Sequence, residues 1–345
     1  MAWNHTKKYK AKRKKKLMKA IFGAALPIVM ILLLLLGLGG TFLYDSSEPF
    51  REFVDTLEGT ALYESFEQLR DFADNLGIFD NQASAKPFID PDGDEMALHF
   101  IDVGQGDSTL MQTPKGNVLI DCGEKEYGDD VVEYLKKQGI YELEYFIITH
   151  PDSDHMGCAA YVLQNVKVNN FVINGKEKSA VFFENALDVL ETKKINSLIA
   201  APGDVFIVGA LHMQILGPHV DDIDDLESND SSLIIYATYG SKTFLFTGDA
   251  EKEGEELLLK YHKNDIDCDI FSAGHHGAKT SNSLKLLQAA TPEYVVVSCG
   301  KDNSYGHPTA EAMNNFASLG ATVYRTDELG SIVFITDGTT LTLKK

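Results

Sequence analysis

Two histidines and two aspartates stand within six residues, in the stretch T-H-P-D-S-D-H-M-G from Thr149 to Gly157. His150, Asp152 and Asp154 follow one another at intervals of two, and His155 is adjacent. Placing two carboxylates beside two imidazoles is energetically unfavourable unless cations neutralise the carboxylates. The pattern therefore predicts a divalent metal site, and an acidic capping loop is the alternative interpretation.

Further polar motifs follow apolar, strand-like runs downstream. T-F-L-F-T-G-D ends on Asp249, although a lone aspartate there often only caps a helix. I-F-S-A-G-H-H-G-A-K-T-S supplies one group of candidates and Y-G-H-P another, and the residues are His275, His276, Lys279, Thr280, Ser281 and His307. This clustering of histidines and acids at strand ends favours a dinuclear metal-dependent hydrolase.

The elements that must position these residues alternate in type. The short β-type runs are A-L-H-F-I-D-V, N-V-L-I-D-C, Y-F-I-I-T, V-N-N-F-V-I-N, L-H-M-Q-I-L, S-L-I-I-Y-A-T, T-F-L-F-T, Y-V-V-V-S, A-T-V-Y-R and S-I-V-F-I-T. Helical patterns fall between some of them, at Asp129–Gln138, Phe183–Lys193, Glu251–Lys260, Ser283–Ala289 and Ala310–Phe316. Two strand-rich halves that each carry helices predict an α/β layered sandwich.

The amino-terminal part has a different composition. Residues 1–20 carry nine basic residues and no acid, and residues 21–44 are free of charge, which is long enough for a membrane span. The basic flank predicts a cytoplasmic amino terminus, so the rest of the chain is expected outside the cell as a single-pass membrane protein. A cleaved signal peptide is the competing interpretation. Residues 45–95 read as a helical stalk and linker, and residues 96–345 as the catalytic domain.

The net charge limits which substrates the chain could bind, and the spacing of the cysteines limits which metal sites it could form. Without the nine basic residues of the tail, 22 basic residues face 51 acidic ones, a net charge of −29. Such a surface repels a polyanion at long range, so a nucleic-acid substrate would depend on local basic groups or bound cations. The four scattered cysteines do not form a zinc-knuckle pattern, and we predict four buried free thiols, with disulfide pairing outside the cell as the alternative.

The order and wording of seven motifs resemble the metallo-β-lactamase superfamily, and most closely the extracellular hydrolase domain of ComEC-type DNA-uptake proteins. The matching stretches are F-I-D-V-G-Q-G-D-S, N-V-L-I-D-C-G, T-H-P-D-S-D-H-M-G, N-D-S-S-L-I-I, F-L-F-T-G-D, G-H-H-G-A-K-T-S and G-K-D-N-S-Y-G-H-P. The resemblance covers about residues 98 to 345. It implies an αββα metallo-β-lactamase-like sandwich with its metals at the mouth between two sheets.

The resemblance also implies roles for individual residues. Two divalent metal ions, manganese or zinc, would be held by His150, Asp152, Asp154, His155, Asp249 and His307. Catalytic roles would fall to Asp154, Asp249, His276 and Lys279, and substrate contacts to His275, His276, Lys279, Thr280 and Ser281. Asn229 or Asp230 would stand at the family's third histidine position. Asp121 would brace the loop as a buried aspartate, and Gln105 and Asp107 would lie on the same rim.

Three hypotheses about function follow. The first is a membrane-anchored, metal-dependent phosphodiesterase, a nuclease that cleaves extracellular DNA through a dinuclear metal-activated hydroxide, alone or with a DNA-uptake or cell-surface partner. The second keeps the enzyme but gives it a small or cell-wall phosphodiester, of the phosphorylcholine or teichoic-acid type, which suits the acidic surface better. The third is a non-catalytic, metal-stabilised surface module that binds a partner through the stalk.

Overall fold

Two mixed β-sheets form the centre of the computed structural model, which describes residues 93–221 and 223–344. The first sheet has eight strands in the order β15-β14-β1-β2-β3-β4-β5-β6, and the second has seven in the order β13-β12-β11-β10-β9-β8-β7. The strands of the first sheet are β1 Met96–Phe100, β2 Thr109–Thr113, β3 Gly116–Ile120, β4 Glu142–Ile147, β5 Lys167–Ile173, β6 Asn196–Ile199, β14 Ile332–Thr336 and β15 Leu341–Leu343. Those of the second are β7 Val205–Val208, β8 Leu211–Gly217, β9 Ile234–Tyr239, β10 Lys242–Phe246, β11 Ile270–Ser272, β12 Tyr294–Val297 and β13 Thr322–Arg325.

Each sheet is antiparallel in one half and parallel in the other. Strands β3 to β6 pair in parallel in the first sheet, and β10 to β13 do so in the second. Parallel neighbours need crossover connections, which here contain helices. The α-helices are α1 Gly128–Lys137, α2 Ser153–Met156, α3 Ala159–Asn165, α4 Val181–Lys193, α5 Lys252–His262, α6 Leu284–Ala290, α7 Ala310–Ser318 and α8 Thr326–Leu329.

Three apolar layers hold these elements together. One lies between the sheets and includes Phe100, Met213, Phe244 and Phe334. Each of the other two lies between one sheet and the helices that cover it. The layer of the first sheet includes Phe146, and a separate cluster of buried side chains forms the layer of the second sheet. The order helix, sheet, sheet, helix confirms the predicted αββα sandwich.

The predicted strands and the five predicted helices are present, with bounds shifted by at most a few residues, and helices α2, α3 and α8 were not predicted. Strands β2, β6, β7 and β15 were missed, because they are short and two of them, β6 and β7, carry exposed apolar residues that blur the period of two. The two sheets also do not correspond fully to the amino-terminal and carboxy-terminal halves of the sequence. Strand β14 returns to the first sheet and pairs with β1, from Met96 with Thr336 to Phe100 with Ile332.

The predicted cytoplasmic tail, membrane span and stalk lie outside the described residues. Within the described ranges, none of the helices is both long and apolar enough to cross a membrane. Those residues all belong to one compact unit, Ala85–Lys345. All four cysteines of the chain are buried free thiols, as predicted.

Candidate metal centre

The polar motifs meet where the parallel strands of both sheets end. Asp121 follows β3, and the stretch from His150 to His155 follows β4. From the second sheet, Asp249 follows β10 and the two histidines of G-H-H-G follow β11. The carboxyl ends of parallel strands lie at one edge of a sheet, so loops from both sheets converge on one mouth.

Asp121 organises the base of this mouth. It is buried, and its backbone has a φ of +57°, a left-handed conformation that is uncommon outside glycine. Its Oδ1 accepts a hydrogen bond from the Thr149 amide at 2.8 Å, and its Oδ2 accepts one from the Thr149 hydroxyl at 2.7 Å. The same Oδ2 lies 2.8 Å from His155 Nδ1. Asp121 therefore acts as the predicted brace, and it fixes the orientation of His155.

Four side chains bring their donor atoms within 4.8 Å of one another, and we call them the Asp154 cluster: Asp154, His155, Asp249 and His276. His155 Nε2 lies 3.1 Å from Asp249 Oδ1. His276 Nε2 lies 3.2 Å from Asp154 Oδ2 and 3.7 Å from Asp249 Oδ2. On its far side, the Nδ1 of His276 lies 3.0 Å from the carbonyl of Ser298. A proton on that Nδ1 leaves Nε2 free to face the cluster.

His150 and Asp152 form a second, looser group, the His150–Asp152 pair. The His150 Nε2 atom lies 4.0 Å from Asp152 Oδ2, and His150 Nδ1 lies 3.2 Å from the hydroxyl of Ser232. The imidazole rings of His150 and His155 are 4.2 Å apart between centroids. The pair therefore adjoins the Asp154 cluster through the two histidines.

The electrostatics of the centre are dominated by its carboxylates. Burial lowers the pKa of His155 and of His276, but nearby carboxylates, Asp249 above all, outweigh burial and raise both pKa values well above their usual range. Burial raises the pKa of Asp249, yet the charges of His155 and His276 bring it well below its usual value. The centre thus holds protons where a divalent cation would replace them.

His275 and His307 border the mouth on the side of the second sheet. His275 and His276 both have positive φ values, +49° and +55°. Residues other than glycine adopt such values only where the surrounding structure imposes them. Gly277 follows with a φ of +81°, and a Cβ there would lie 2.6 Å from Pro308 Cβ. This close approach packs the histidine loop against the loop that carries His307. Burial and the imidazoles of His275 and His276 lower the pKa of His307 to about 4.

A cavity of about 220 Å³ opens above these residues. Its lining includes Asp152, Asp154, Asp249, His275, His276 and His307. Tyr305 stands at its rim with 69% of its surface exposed, and its ring stacks on that of His307 at 5.7 Å between centroids and an interplanar angle of 27°. The centre is therefore reachable from solvent and has an aromatic platform beside it.

The donor set fits a divalent cation. Several buried ligand-type atoms in the mouth have no hydrogen bond of acceptable geometry to the described residues, among them His150 Nε2, His155 Nε2 and Asp249 Oδ1, the last two lying 3.1 Å apart. Unsatisfied polar atoms are costly to bury, and a bound cation would satisfy them. Asp154, His155, Asp249 and His276 would hold that cation. Two carboxylates and two imidazoles suit manganese, iron or zinc by ligand type.

Of the six predicted metal ligands, Asp154, His155 and Asp249 lie in the Asp154 cluster, whereas His150, Asp152 and His307 lie outside it. Among the predicted metal ligands, all except His150 and His155 line the cavity, and those two lie buried beside it. Lys279 and Thr280 are exposed and are absent from the lining, and the hydroxyl of Thr280 donates to Glu251 Oε1 at 3.0 Å. Ser281 is buried and donates to the carbonyl of Ala250 at 2.9 Å. Substrate contact by these three residues stays a prediction.

The residues near the third ligand position and on the rim also have defined partners. Asp230 Oδ1 accepts hydrogen bonds from the amides of Glu251 and Gly254, both at 2.8 Å, so it caps α5. Asn229 lines the cavity and donates to Glu251. Gln105 Oε1 accepts from the amide of Gly300, and Asp107 Oδ1 lies 3.6 Å from His276 Nδ1. Asp230 Oδ1 is therefore engaged by α5, whereas Asn229 lines the cavity, and a ligand role of either residue at the third position stays a prediction.

Comparison with known proteins places this centre in a family. Residues 101–301 match the Metallo-beta-lactamase superfamily. The chain belongs to the metallo-β-lactamase superfamily of metal-dependent hydrolases. Within this superfamily it is 32% identical over 258 residues to ComE operon protein 3 of Bacillus subtilis, covering 70% of this chain and 33% of that protein. It is 28% identical to Competence protein ComA of Neisseria gonorrhoeae, covering 70% of this chain and 32% of that protein.

These relatives are ComEC-type competence proteins, as the motifs suggested. The chain spans about a third of the length of the curated relatives it matches. Among solved structures, the metallo-β-lactamase fold protein YhfI of Bacillus subtilis aligns with a TM-score of 0.47 and 13% identity, covering 70% of this chain and 99% of that one.

Three features of this metallo-β-lactamase centre were missed by sequence reasoning. His276 was assigned to substrate contact, but its Nε2 lies in the Asp154 cluster. Tyr305 was not singled out, although an aromatic residue two positions before a candidate ligand is a detectable signal. Lys178 forms an ion pair with Asp152 at 2.5 Å, and no local pattern around Lys178 points to this contact.

A buried glutamate behind the histidine loop of this metallo-β-lactamase domain gives a pH-dependent prediction. Glu255 accepts hydrogen bonds from the amides of Asn282 and Ser283, yet burial raises its pKa from 4.5 to about 7. Because the folded-state pKa is the higher one, its contribution to stability is complete below about pH 4.5 and is lost as the pH rises to about 7.

The difference in thermal midpoint between the wild-type chain and Glu255→Gln measures this contribution. We expect the wild type to lose a few degrees relative to the variant between pH 4.5 and pH 7.5, and nothing further above that. The subtraction removes the titration of the metal centre, which both chains share. A difference that stays constant over this pH range would contradict the prediction.

Proposed function

We propose that the protein is a phosphodiesterase that cleaves DNA outside the cell, with single-stranded DNA as its substrate. The observation that carries the proposal is the combination, at one open cavity, of the Asp154 cluster and the stacked rings of Tyr305 and His307. A carboxylate-rich metal centre suits phosphoryl chemistry, and an exposed aromatic ring suits a nucleobase.

The chain's own residues prepare the centre for a cation. Divalent metal bound there would act as a Lewis acid on a phosphodiester and would lower the pKa of water. Asp121 and the Ser298 carbonyl hold the Nδ1 atoms of His155 and His276, so both Nε2 atoms face the Asp154 cluster. This arrangement orients the ligands before any cation arrives, which reduces the reorganisation that binding requires.

Tyr305 and two nearby lysines would bind the substrate. Base stacking on an aromatic ring tolerates any sequence, because every base has a π-face. Lys279 and Lys301 are exposed on the loops that carry the histidine pair and Tyr305. They are the local basic groups that an acidic chain needs in order to approach a phosphate backbone.

The relatives support a DNA substrate. Proteins named for competence match this chain over 70% of its length. This support concerns only the part of those proteins that the chain covers, about a third of their length. We further propose that the chain is anchored by residues 21–44, with the amino terminus in the cytoplasm and the hydrolase domain outside. Digestion of the domain by protease added to intact cells would agree with this topology, and complete protection would contradict it.

A small or cell-wall phosphodiester is the second candidate, and the charge of the chain favours it. Residues 20–345 have a net charge of −29, and acidic side chains also line the cavity. A short, weakly charged diester would meet less repulsion than a long polyanion.

One assay separates these candidates. The full chain in detergent micelles is stripped with a chelator and then given Mn²⁺ or Zn²⁺, with single-stranded DNA or bis-p-nitrophenyl phosphate as substrate. Metal-dependent cleavage of both is the result expected of a nuclease. Cleavage of the small diester alone would favour the second candidate, and hydrolysis of neither would contradict both.

Tyr305→Ala tests the stacking platform. We expect kcat/KM for single-stranded DNA to fall about fivefold to a hundredfold, since stacking on an aromatic side chain contributes about 1–3 kcal/mol per base. Tyr305→Phe should keep most of the activity, because the ring remains. An abasic oligonucleotide should be cleaved equally by the wild type and by Tyr305→Ala.

The matched control is Tyr141→Ala. Tyr141 is also exposed, at 61%, but it precedes β4 and lies at the opposite end of that strand from the metal centre. If both alanine variants lose the same activity, or if cleavage of the abasic strand falls in parallel, Tyr305 does not stack on bases.

A further inference from the structure

A lysine lies against one of the predicted metal ligands. The Nζ of Lys178 is 2.5 Å from Asp152 Oδ1, and the hydroxyl of Ser228 donates to the same oxygen. The other oxygen, Oδ2, faces His150 at 4.0 Å. Asp152 therefore has a cationic partner that the chain itself supplies.

The segment that carries Lys178 is fixed by its neighbours. Asn174, buried at the end of β5, donates to the carbonyl of Ser231 at 2.8 Å. Lys176 donates to the carbonyl of Leu226 at 2.6 Å and to that of Ile223 at 3.3 Å. These contacts tie the loop after β5 to the segment before β9, so Lys178 is brought to Asp152 by a defined backbone arrangement.

The His150–Asp152 pair is also short of ligands. Asp230, the carboxylate nearest in sequence to the third position, caps α5, and the amide nitrogen of Asn229 donates to Glu251. Among the described residues, neither His150 nor Asp152 belongs to a group of three or more His, Cys, Asp or Glu ligand atoms within 4.8 Å of one another, whereas the Asp154 cluster has four such atoms. Fewer ligands and a resident ammonium group both weaken binding of a divalent cation at the pair.

We propose that Lys178 is a positioning residue that takes the place of a tightly bound second metal ion beside Asp152. The protein then holds one divalent ion firmly, at the Asp154 cluster, and a second only weakly, at the His150–Asp152 pair. The inference rests on the metal centre of the proposed function, but it does not depend on which substrate is cleaved.

The physical basis is competition for one carboxylate. An ammonium in contact with Asp152 neutralises it, and a divalent ion at the pair must displace or sit close to that like charge. Even at the dielectric constant of water, a single and a double charge about 5 Å apart repel by enough to weaken binding about tenfold. The Asp154 cluster is not contacted by Lys178 among the described residues, so its own ion is unaffected to first order.

The test measures how many Mn²⁺ ions the full chain in detergent binds and with what affinity. The protein is first stripped with a chelator, then dialysed to equilibrium against Mn²⁺, and the bound metal is determined by elemental analysis. The wild type is expected to bind one ion tightly and a second at least about tenfold more weakly. Lys178→Met should tighten the second ion at least about tenfold and leave the first unchanged. Lys178→Arg should resemble the wild type, since it keeps the charge.

Two further variants keep the test decisive. Lys115→Met changes an exposed lysine in the β2–β3 turn, at the opposite end of β3 from Asp121, and should leave both affinities unchanged. Asp152→Asn should remove the weak ion and keep the tight one, and it serves if Lys178→Met fails to fold. Two equally tight ions in the wild type, an unchanged second ion in Lys178→Met, or loss of the tight ion in Asp152→Asn would each overturn the proposal.

These results are separable from the proposed function. The binding measurements use no substrate, so the expected stoichiometry in a protein that cleaves no phosphodiester would support the role of Lys178 and contradict only the activity.

Discussion

Asp249→Asn is expected to lose both tight metal binding and metal-dependent hydrolysis. Asp249 is 2% exposed, and its two oxygens approach three imidazoles: His155 at 3.1 Å, His275 at 3.6 Å and His276 at 3.7 Å. Asparagine preserves the size but removes the charge that a cation at the Asp154 cluster would meet. Since loss of an outer partner alone typically costs 10–100-fold, loss of this ligand should lower kcat/KM and Mn²⁺ affinity by more than about a hundredfold.

The affinity is measured by the same dialysis, and the rate with whichever diester the wild type cleaves. Asp265→Asn is the matched control, because Asp265 is an exposed aspartate in the loop after α5. It should retain wild-type affinity and rate. A thermal unfolding scan of chelated protein separates a local effect from misfolding, and wild-type metal affinity in Asp249→Asn would exclude Asp249 as a ligand.

Asp121→Asn is expected to lower the metal affinity of the centre, although Asp121 is not a predicted metal ligand. Asp121 accepts the Thr149 amide, the Thr149 hydroxyl and the Nδ1 proton of His155 within 2.8 Å. An asparagine has one acceptor oxygen in place of two, and its amide group would confront a donor. His155 would then lose its fixed orientation, so Mn²⁺ affinity should fall about 10–100-fold and kcat with it.

Thr149→Val provides the graded comparison. It removes the hydroxyl that donates to Asp121 at 2.7 Å but leaves the carboxylate and its contact with His155. Its effect on metal affinity should be several-fold smaller than that of Asp121→Asn. Equal effects would mean that Asp121 acts through Thr149 and the local packing, and full affinity in Asp121→Asn would rule out the brace.

The order of these two effects follows from their place in the centre. Both oxygens of Asp249 face imidazoles of the cluster, Oδ1 at 3.1 Å from His155 and Oδ2 at 3.7 Å from His276, whereas those of Asp121 are engaged with Thr149 and His155. A cation that replaces the imidazole protons would meet the buried carboxylate of Asp249 directly. The brace only directs one of the imidazoles.

The sequence by itself determined an α/β layered sandwich and the positions of most candidate ligands, while the αββα order was implied by the resemblance of its motifs to the metallo-β-lactamase superfamily. Apolar periods of two and 3.6 mark the strands and helices, and polar residues directly after β4, β10 and β11 must lie at strand ends whatever the rest of the chain does. The burial of all four cysteines was predictable in the same way, because each lies in a strand-like or motif-flanking context.

The tertiary structure alone decided which of these residues meet. His276 reaches Asp154 across 122 residues of sequence, and Lys178 reaches Asp152 from the loop after the next strand. The left-handed backbone of His275 and His276 turns the ring of His276 toward the Asp154 cluster, and no local pattern predicts such a conformation for a residue other than glycine. Local sequence sets secondary structure through backbone and side-chain preferences, but contacts between loops depend on how two sheets pack, and that packing is decided by the apolar core between them.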